Sequence, residues 1–133
     1  MNNFIHRRDL RIYDNTGIMT MLNKYQPITP IFIFDPIQID PDNNPYFSNN
    51  LVQFMCQSLM DLHQQYSNNN VIFHLFHGDI ISVLQDIHIN NTISTIGFNM
   101  DYSPYSKNRD QDIIQWCQKN NINYFYPEDM LLN

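Results

Sequence analysis

The chain is predicted to fold as an α/β domain: a doubly wound, five-stranded parallel sheet with strand order 3-2-1-4-5 and helices on both faces. Three observations predict it. Short apolar runs alternate with amphipathic helical stretches from end to end, which is the pattern of strands joined by crossover helices. The clearest run, Ile31–Phe34, is continuously apolar between prolines, as a strand covered on both faces should be. Finally, 133 residues with a 43% hydrophobic fraction suit one domain with a real core, and neither an internal repeat nor a domain boundary interrupts residues 1–133.

Each element follows in turn. Phe4–His6 is a short apolar stub, the end of a first strand. Asp14 or Asn15 can cap a helix over Gly17–Tyr25, where Ile18, Met19, Met21 and Leu22 recur at helical spacing. Pro27–Pro36 holds the second strand, and a polar, proline-rich loop follows. Leu51, Phe54, Met55, Leu59 and Leu62 then mark a helix capped by Ser48 or Asn49. Asn68–Asn70 is a turn. Val71–His77 is a third strand ended by Gly78, and Asp79 caps the helix IISVLQDI. Thr92–Asn99 is the fourth strand, Ser103 or Pro104 starts a helix to about Asn120, and Ile122–Pro127 is the fifth strand.

Charge and motifs narrow the function. Net charge −6 argues against the chain gripping DNA by itself, since phosphate binding draws on a basic face. With no membrane-length apolar run and no signal-peptide core, a soluble intracellular protein of cytoplasm or nucleus is expected. Cys56 and Cys117 form no C-x-x-C pair and read as buried thiols in a reducing compartment. Three glycines leave no dinucleotide fingerprint and no P-loop. His74 and His77, three apart on a strand, point to opposite faces and make a poor metal pair; no metal site is expected.

In such a sheet, ligands bind beyond the carboxyl ends of the strands where the order reverses, here between strands one and four. The loop after strand one is RRDLR, which gathers Arg7, Arg8 and Arg11 around Asp9; the loop after strand four is NMDYSPY. The residues alone leave two readings open. Arg8 and Asp9 could line a ligand crevice opposite Asn99 and Asp101. They could instead pair with Asp101, Arg109 or Asp110 and pin two loops together, with Arg11 in the same network. Arg109–Asp110 could also be a solvated pair on a helix.

The motifs RRDLRIYDN, PIFIFDP, YFSNNLVQFMCQSLMDL, FHGD, FNMDYSPYSKNRD and YPEDMLL occur in order along nearly the whole chain. Together they resemble the DNA photolyase and cryptochrome family, and the Y-x-P-Y-x-x-x-R-D form resembles its microbial cyclobutane-dimer photolyases. The resemblance implies the family's Rossmann-like α/β domain, which often holds an antenna chromophore: a deazaflavin, a folate or a second flavin. It implies a larger helical domain, absent from these residues, that holds FAD, binds damaged DNA and splits pyrimidine dimers on illumination. On that resemblance Arg8 and Asp9 would meet the chromophore, Asp101 would accept from a ring N–H, and Phe34 and Gln53 would line the wall. Gln53 stands where deazaflavin-binding relatives tend to carry arginine, and Ser103 where folate-binding relatives often carry glutamate.

The expected function is therefore the antenna-domain half of a split or truncated deoxyribodipyrimidine photolyase, with no catalytic residues of its own and a separate FAD-binding helical chain as partner. An inactive truncated product and a stand-alone nucleotide- or flavin-binding module are the alternatives.

Overall fold

The computed structural model describes residues 1–7, 10, 12, 15–24, 27–35, 49–100 and 104–126. Strands β1 (Asn2–His6), β2 (Ile28–Phe34), β3 (His74–His77), β4 (Thr95–Gly97) and β5 (Asn123–Phe125) alternate with helices α1 (Thr16–Lys24), α2 (Asn49–Asn68), α3 (Ile80–Asn90) and α4 (Pro104–Lys119). The strands form one sheet in the order β3-β2-β1-β4-β5, and every pairing is parallel. Central β1 is therefore the switch strand, flanked by β2 and β4.

Two apolar layers sandwich the sheet. On one face Phe4 and Phe32 meet Ile18 and Met21 of α1 and Leu59, Leu62 and Tyr66 of α2. On the other, Ile5, Ile31 and Ile33 meet Leu84 and Ile87 of α3 and Ile113, Trp116 and Cys117 of α4. The alternation of Phe4 and Ile5 between layers is the period-two geometry of a strand. Helix starts follow side-chain chemistry. Asn15 Oδ1 accepts from Ile18 N at 3.1 Å, and Asp79 Oδ2 accepts from Ser82 N at 3.0 Å, each satisfying an orphan donor of a first turn. Asn70, with φ 60°, turns the chain out of α2 in the left-handed conformation that asparagine tolerates.

The second to fifth strands are shorter than the sequence predicts, whereas β1 starts earlier, at Asn2 rather than Phe4. The third spans His74–His77 rather than Val71–His77; its ladder begins at Ile31 of β2, one residue after Pro30, which has no N–H to give. It is also an edge strand with Leu75 about half exposed, so only one of its sides is paired. The fourth spans three residues because β1 and β5 offer it only three partners each; Phe98 continues past it and bonds to Phe125 O.

One buried polar group stands out. Asn3 is 0% exposed, and neither atom of its carboxamide has a hydrogen-bond partner. An unpaired buried amide costs about 1–3 kcal/mol.

The cysteines correct the expectation of two buried thiols. Cys117 is buried in α4, but Cys56 is exposed, because it lies on the outward side of α2. Burial pushes the Cys117 thiol up to about 12. Below its ordinary value of 9.0 the thiol is neutral in both folded and unfolded chains and adds no pH dependence. Above it the unfolded chain loses the proton while the folded chain keeps it, so stability falls as pH rises through this window, by up to about 1.4 kcal/mol per pH unit. Chemical denaturation across that window should show this slope in wild type and lose it in Cys117→Ala. At about pH 8 a thiol reagent should label Cys56 alone until the chain unfolds.

None of the described helices is long and apolar enough to cross a membrane.

Candidate functional site at the carboxyl ends of the strands

The switch point between β1 and β4 brings together the residues that follow β1, β2 and β4, closed over by α4. Strand alternation decides which side chains enter. Ile5 faces the α3/α4 layer, so Arg7, two residues on, extends toward the same layer. Its guanidinium bonds Asp110 of α4 and the backbone oxygen of Asn99, and its Cζ lies 5.0 Å from the centroid of the Phe98 ring. Carboxylate, carbonyl and aromatic face together use the planar fork and the stacking surface that distinguish arginine from lysine. The Arg7 and Asp110 side chains are 9% and 7% exposed.

The same alternation places Asp35. Ile33 faces the α3/α4 layer, and Asp35, two residues later and 4% exposed, sits 3.6 Å from Nη2 of Arg109. Consecutive residues of α4 thus tie down two different strand ends, Arg109 that of β2 and Asp110 that of β1. Both are buried. This corrects the reading of Arg109–Asp110 as a solvated pair: each turns inward to a strand-end partner.

Asn99 joins the network to α1. Its Nδ2 donates to Asn15 Oδ1 at 2.7 Å, and its Oδ1 accepts from Gly17 N at 2.9 Å. The end of β4 and the first turn of α1 are therefore bolted across the switch point. Beside it, on the α1/α2 face, His6 is fully buried, with Nε2 2.6 Å from the Tyr66 hydroxyl and its ring edge-on to Phe73.

Of the residues the sequence singled out, Arg8, Asp9, Arg11 and Asp101 lie outside the described residues. Phe34 ends β2 half-buried, edge-on to Phe32 at 4.9 Å. Gln53 is exposed on α2. Tyr126 is half-buried and stacks on Phe98 at 5.7 Å, packing rather than presenting a platform. Sequence reasoning missed Asp35, although its position two residues beyond Ile33 carried the signal. It also weighted Arg8 over Arg7, where the alternation favours Arg7 for the α4 side.

Known proteins resemble this chain in sequence and fold. The family model described as DNA photolyase matches residues 4–133. Cryptochrome-1 of Anopheles gambiae is 26% identical over 127 residues, covering 89% of this chain and 23% of that protein. An archaeal photolyase from Sulfolobus tokodaii, described with two FAD molecules and a novel light-harvesting cofactor, is 36% identical with a TM-score of 0.86, over 96% of this chain and 29% of its own. A cryptochrome from Synechocystis, 18% identical with a TM-score of 0.79 over 93% of this chain and 26% of its own, shares the fold. The chain spans about a quarter of the length of these relatives.

Proposed function

The chain belongs to the DNA photolyase family, and from that premise we propose that it is the antenna domain of a light-driven DNA-repair photolyase, working with a helical domain that holds the FAD and lesion sites. The observation that carries this reading is the family match over residues 4–133, together with the 36% identity and shared fold of the Sulfolobus tokodaii photolyase. The acidic balance, net charge −6, supports a division in which the helical domain supplies the DNA-gripping surface. The outer surfaces of α1 and α2 expose Met19, Phe54 and Met60, apolar groups of the kind an interface covers.

The antenna is a flavin-type chromophore at the switch-point crevice. The likeness to the Sulfolobus tokodaii photolyase supports flavin over the other antenna classes. The described residues are compatible with a ring system there: Phe34 is half-buried and Gln53 is open to solvent, leaving an apolar face and an amide for it. Arg8 meets an anionic or carbonyl edge, and Asp101 accepts from a ring N–H. Arg7 is held by Asp110 and Asn99 and shapes the crevice rather than touching the ligand. The chromophore, when bound, absorbs light and passes excitation to FAD on the helical domain.

Four experiments test this. Co-expressed with the helical photolyase domain of its own source, this domain should co-purify and gain solubility; no co-purification would count against the antenna reading. Loaded with flavin and desalted, it should keep visible-blue absorbance, which Asp101→Asn and Arg8→Ala abolish without lowering thermal stability. Alone, supplied with FAD, reductant, light and ultraviolet-damaged DNA, it should restore no dimer-free DNA, and it should bind that DNA no tighter than roughly micromolar at physiological salt.

A further inference from the structure

A cavity of about 460 Å³ opens between α3 and the β1–β2–β3 half of the sheet. It lies on the α3/α4 face and reaches the amino-terminal halves of β1 and β2, at Asn3 and Thr29. It is therefore separate from the crevice at the carboxyl ends. Its volume falls within the range of small-molecule sites. Its lining is mixed: Ile31 on the floor, Val83 and Ile87 from α3 and Phe76 from β3 are apolar, and polar side chains such as Asn3, Asp86 and Asn90 stand among them.

We propose that this cavity binds a small, uncharged aromatic heterocycle with a lactam edge, of the pyrimidine or purine base type, read by the Asn3 carboxamide. Three observations select that chemistry. Asn3 lines the cavity, and its carboxamide nitrogen and oxygen both lack partners. A carboxamide offers one donor face beside one acceptor face, the complement of an adjacent C=O and N–H on a ring. Neither amide atom meets solvent in the present conformation, so engagement requires a turn of the carboxamide about its terminal torsion, which is soft. Second, His74 and Phe76 stand nearly parallel on β3, 25° apart with centroids 6.2 Å apart. By register they sit beside Ile31 and Ile33 on the α3 side, an aromatic wall against which a flat ring can stack. Third, the lining holds no lysine or arginine and carries Asp86, and the ammonium of Met1, which also lines it, is engaged by Thr92 O and Ser94 Oγ, which together disfavour a phosphate and select the bare base over the nucleotide.

The test uses the purified chain and uracil as probe. Titration followed by calorimetry should give saturable one-to-one binding with a dissociation constant below about 1 mM. Asn3→Leu should weaken it at least tenfold, and so should methylation of both uracil nitrogens, which removes the N–H of the lactam edge. Asn3→Leu replaces an unpaired amide with an apolar group of similar size, so it should melt no lower than wild type, and lost binding is then not lost folding. Absence of saturable binding, equal affinity of Asn3→Leu, or equal affinity for the methylated base would each overturn the proposal. Stabilisation by Asn3→Leu with no uracil binding in wild type would likewise overturn it, leaving the cavity with water alone.

Discussion

Arg7→Ala should lower the free energy of unfolding by about 3–5 kcal/mol, read as a fall in the urea midpoint at unchanged slope. The substitution strips a buried carboxylate, Asp110, of its guanidinium partner, leaves the Asn99 carbonyl without that donor, and removes the cation from the Phe98 face. A surface ion pair would be worth less than about 1 kcal/mol, so the size of the effect reports burial directly. Arg7→Lys should recover only part of the loss, because a single ammonium cannot span carboxylate, carbonyl and ring at once. The double variant Arg7→Met with Asp110→Leu should be more stable than Arg7→Ala, since no charge is then left behind. A loss under about 1 kcal/mol for Arg7→Ala would mean that water reaches the pair.

Gly17→Ala should also destabilise, by about 2 kcal/mol or more, against the sign that helix propensity gives. Alanine in a helix interior is favoured over glycine by about 1 kcal/mol. At Gly17, however, an added methyl collides with Asn99 Oδ1 and comes within 2.7 Å of the Phe4 ring. Phe4 is fully buried beneath α1 and braced edge-on against His6 at 4.9 Å, so the ring has nowhere to go. Asn99 can retreat only by releasing Asn15 and the Gly17 amide. Thermal melts of Gly17→Ala and of Gly17→Ala with Asn99→Ala separate the causes. Relief in the double variant assigns the cost to the carboxamide, and persistence assigns it to Phe4. A variant that melts at or above the wild-type temperature would show that the first turn of α1 can lift off the sheet.

What the sequence carried and what it did not divides by range. The alternation of helix and strand is a local signal, and it led to the observed order β3-β2-β1-β4-β5. Caps were legible for the same reason: Asp79 and Asn15 act within three residues of themselves. The strand ends were less so, because a ladder stops where a neighbour stops, and β4 is cut to three residues by strands far away in sequence. At the crevice the charged residues were visible but their partners were not. Period-two counting from Ile5 and Ile33 selects Arg7 and Asp35 for the α4 side, yet nothing local says that α4 presents Arg109 and Asp110 there. The Asn15–Asn99 bond joins residues 84 apart, and the Asn3 cavity is lined from three strands and α3 together. Neither has a sequence signature shorter than the fold itself.

Central placement of β1 has a consequence for biosynthesis. The strand that every other strand is built around is translated first, and it gains β2 within some 25 residues, since Asn2 pairs with Ile28. Its other edge waits for β4, whose Thr95 is the register partner of Asn2. At about 5–20 residues per second the ribosome takes roughly 5–20 seconds to deliver that partner. Throughout the interval Phe4, Ile5 and His6, all destined for full burial, belong to a nascent chain whose sheet is half closed. Chaperone dependence should therefore concentrate before residue 97 has left the exit tunnel, and fall once β4 has docked.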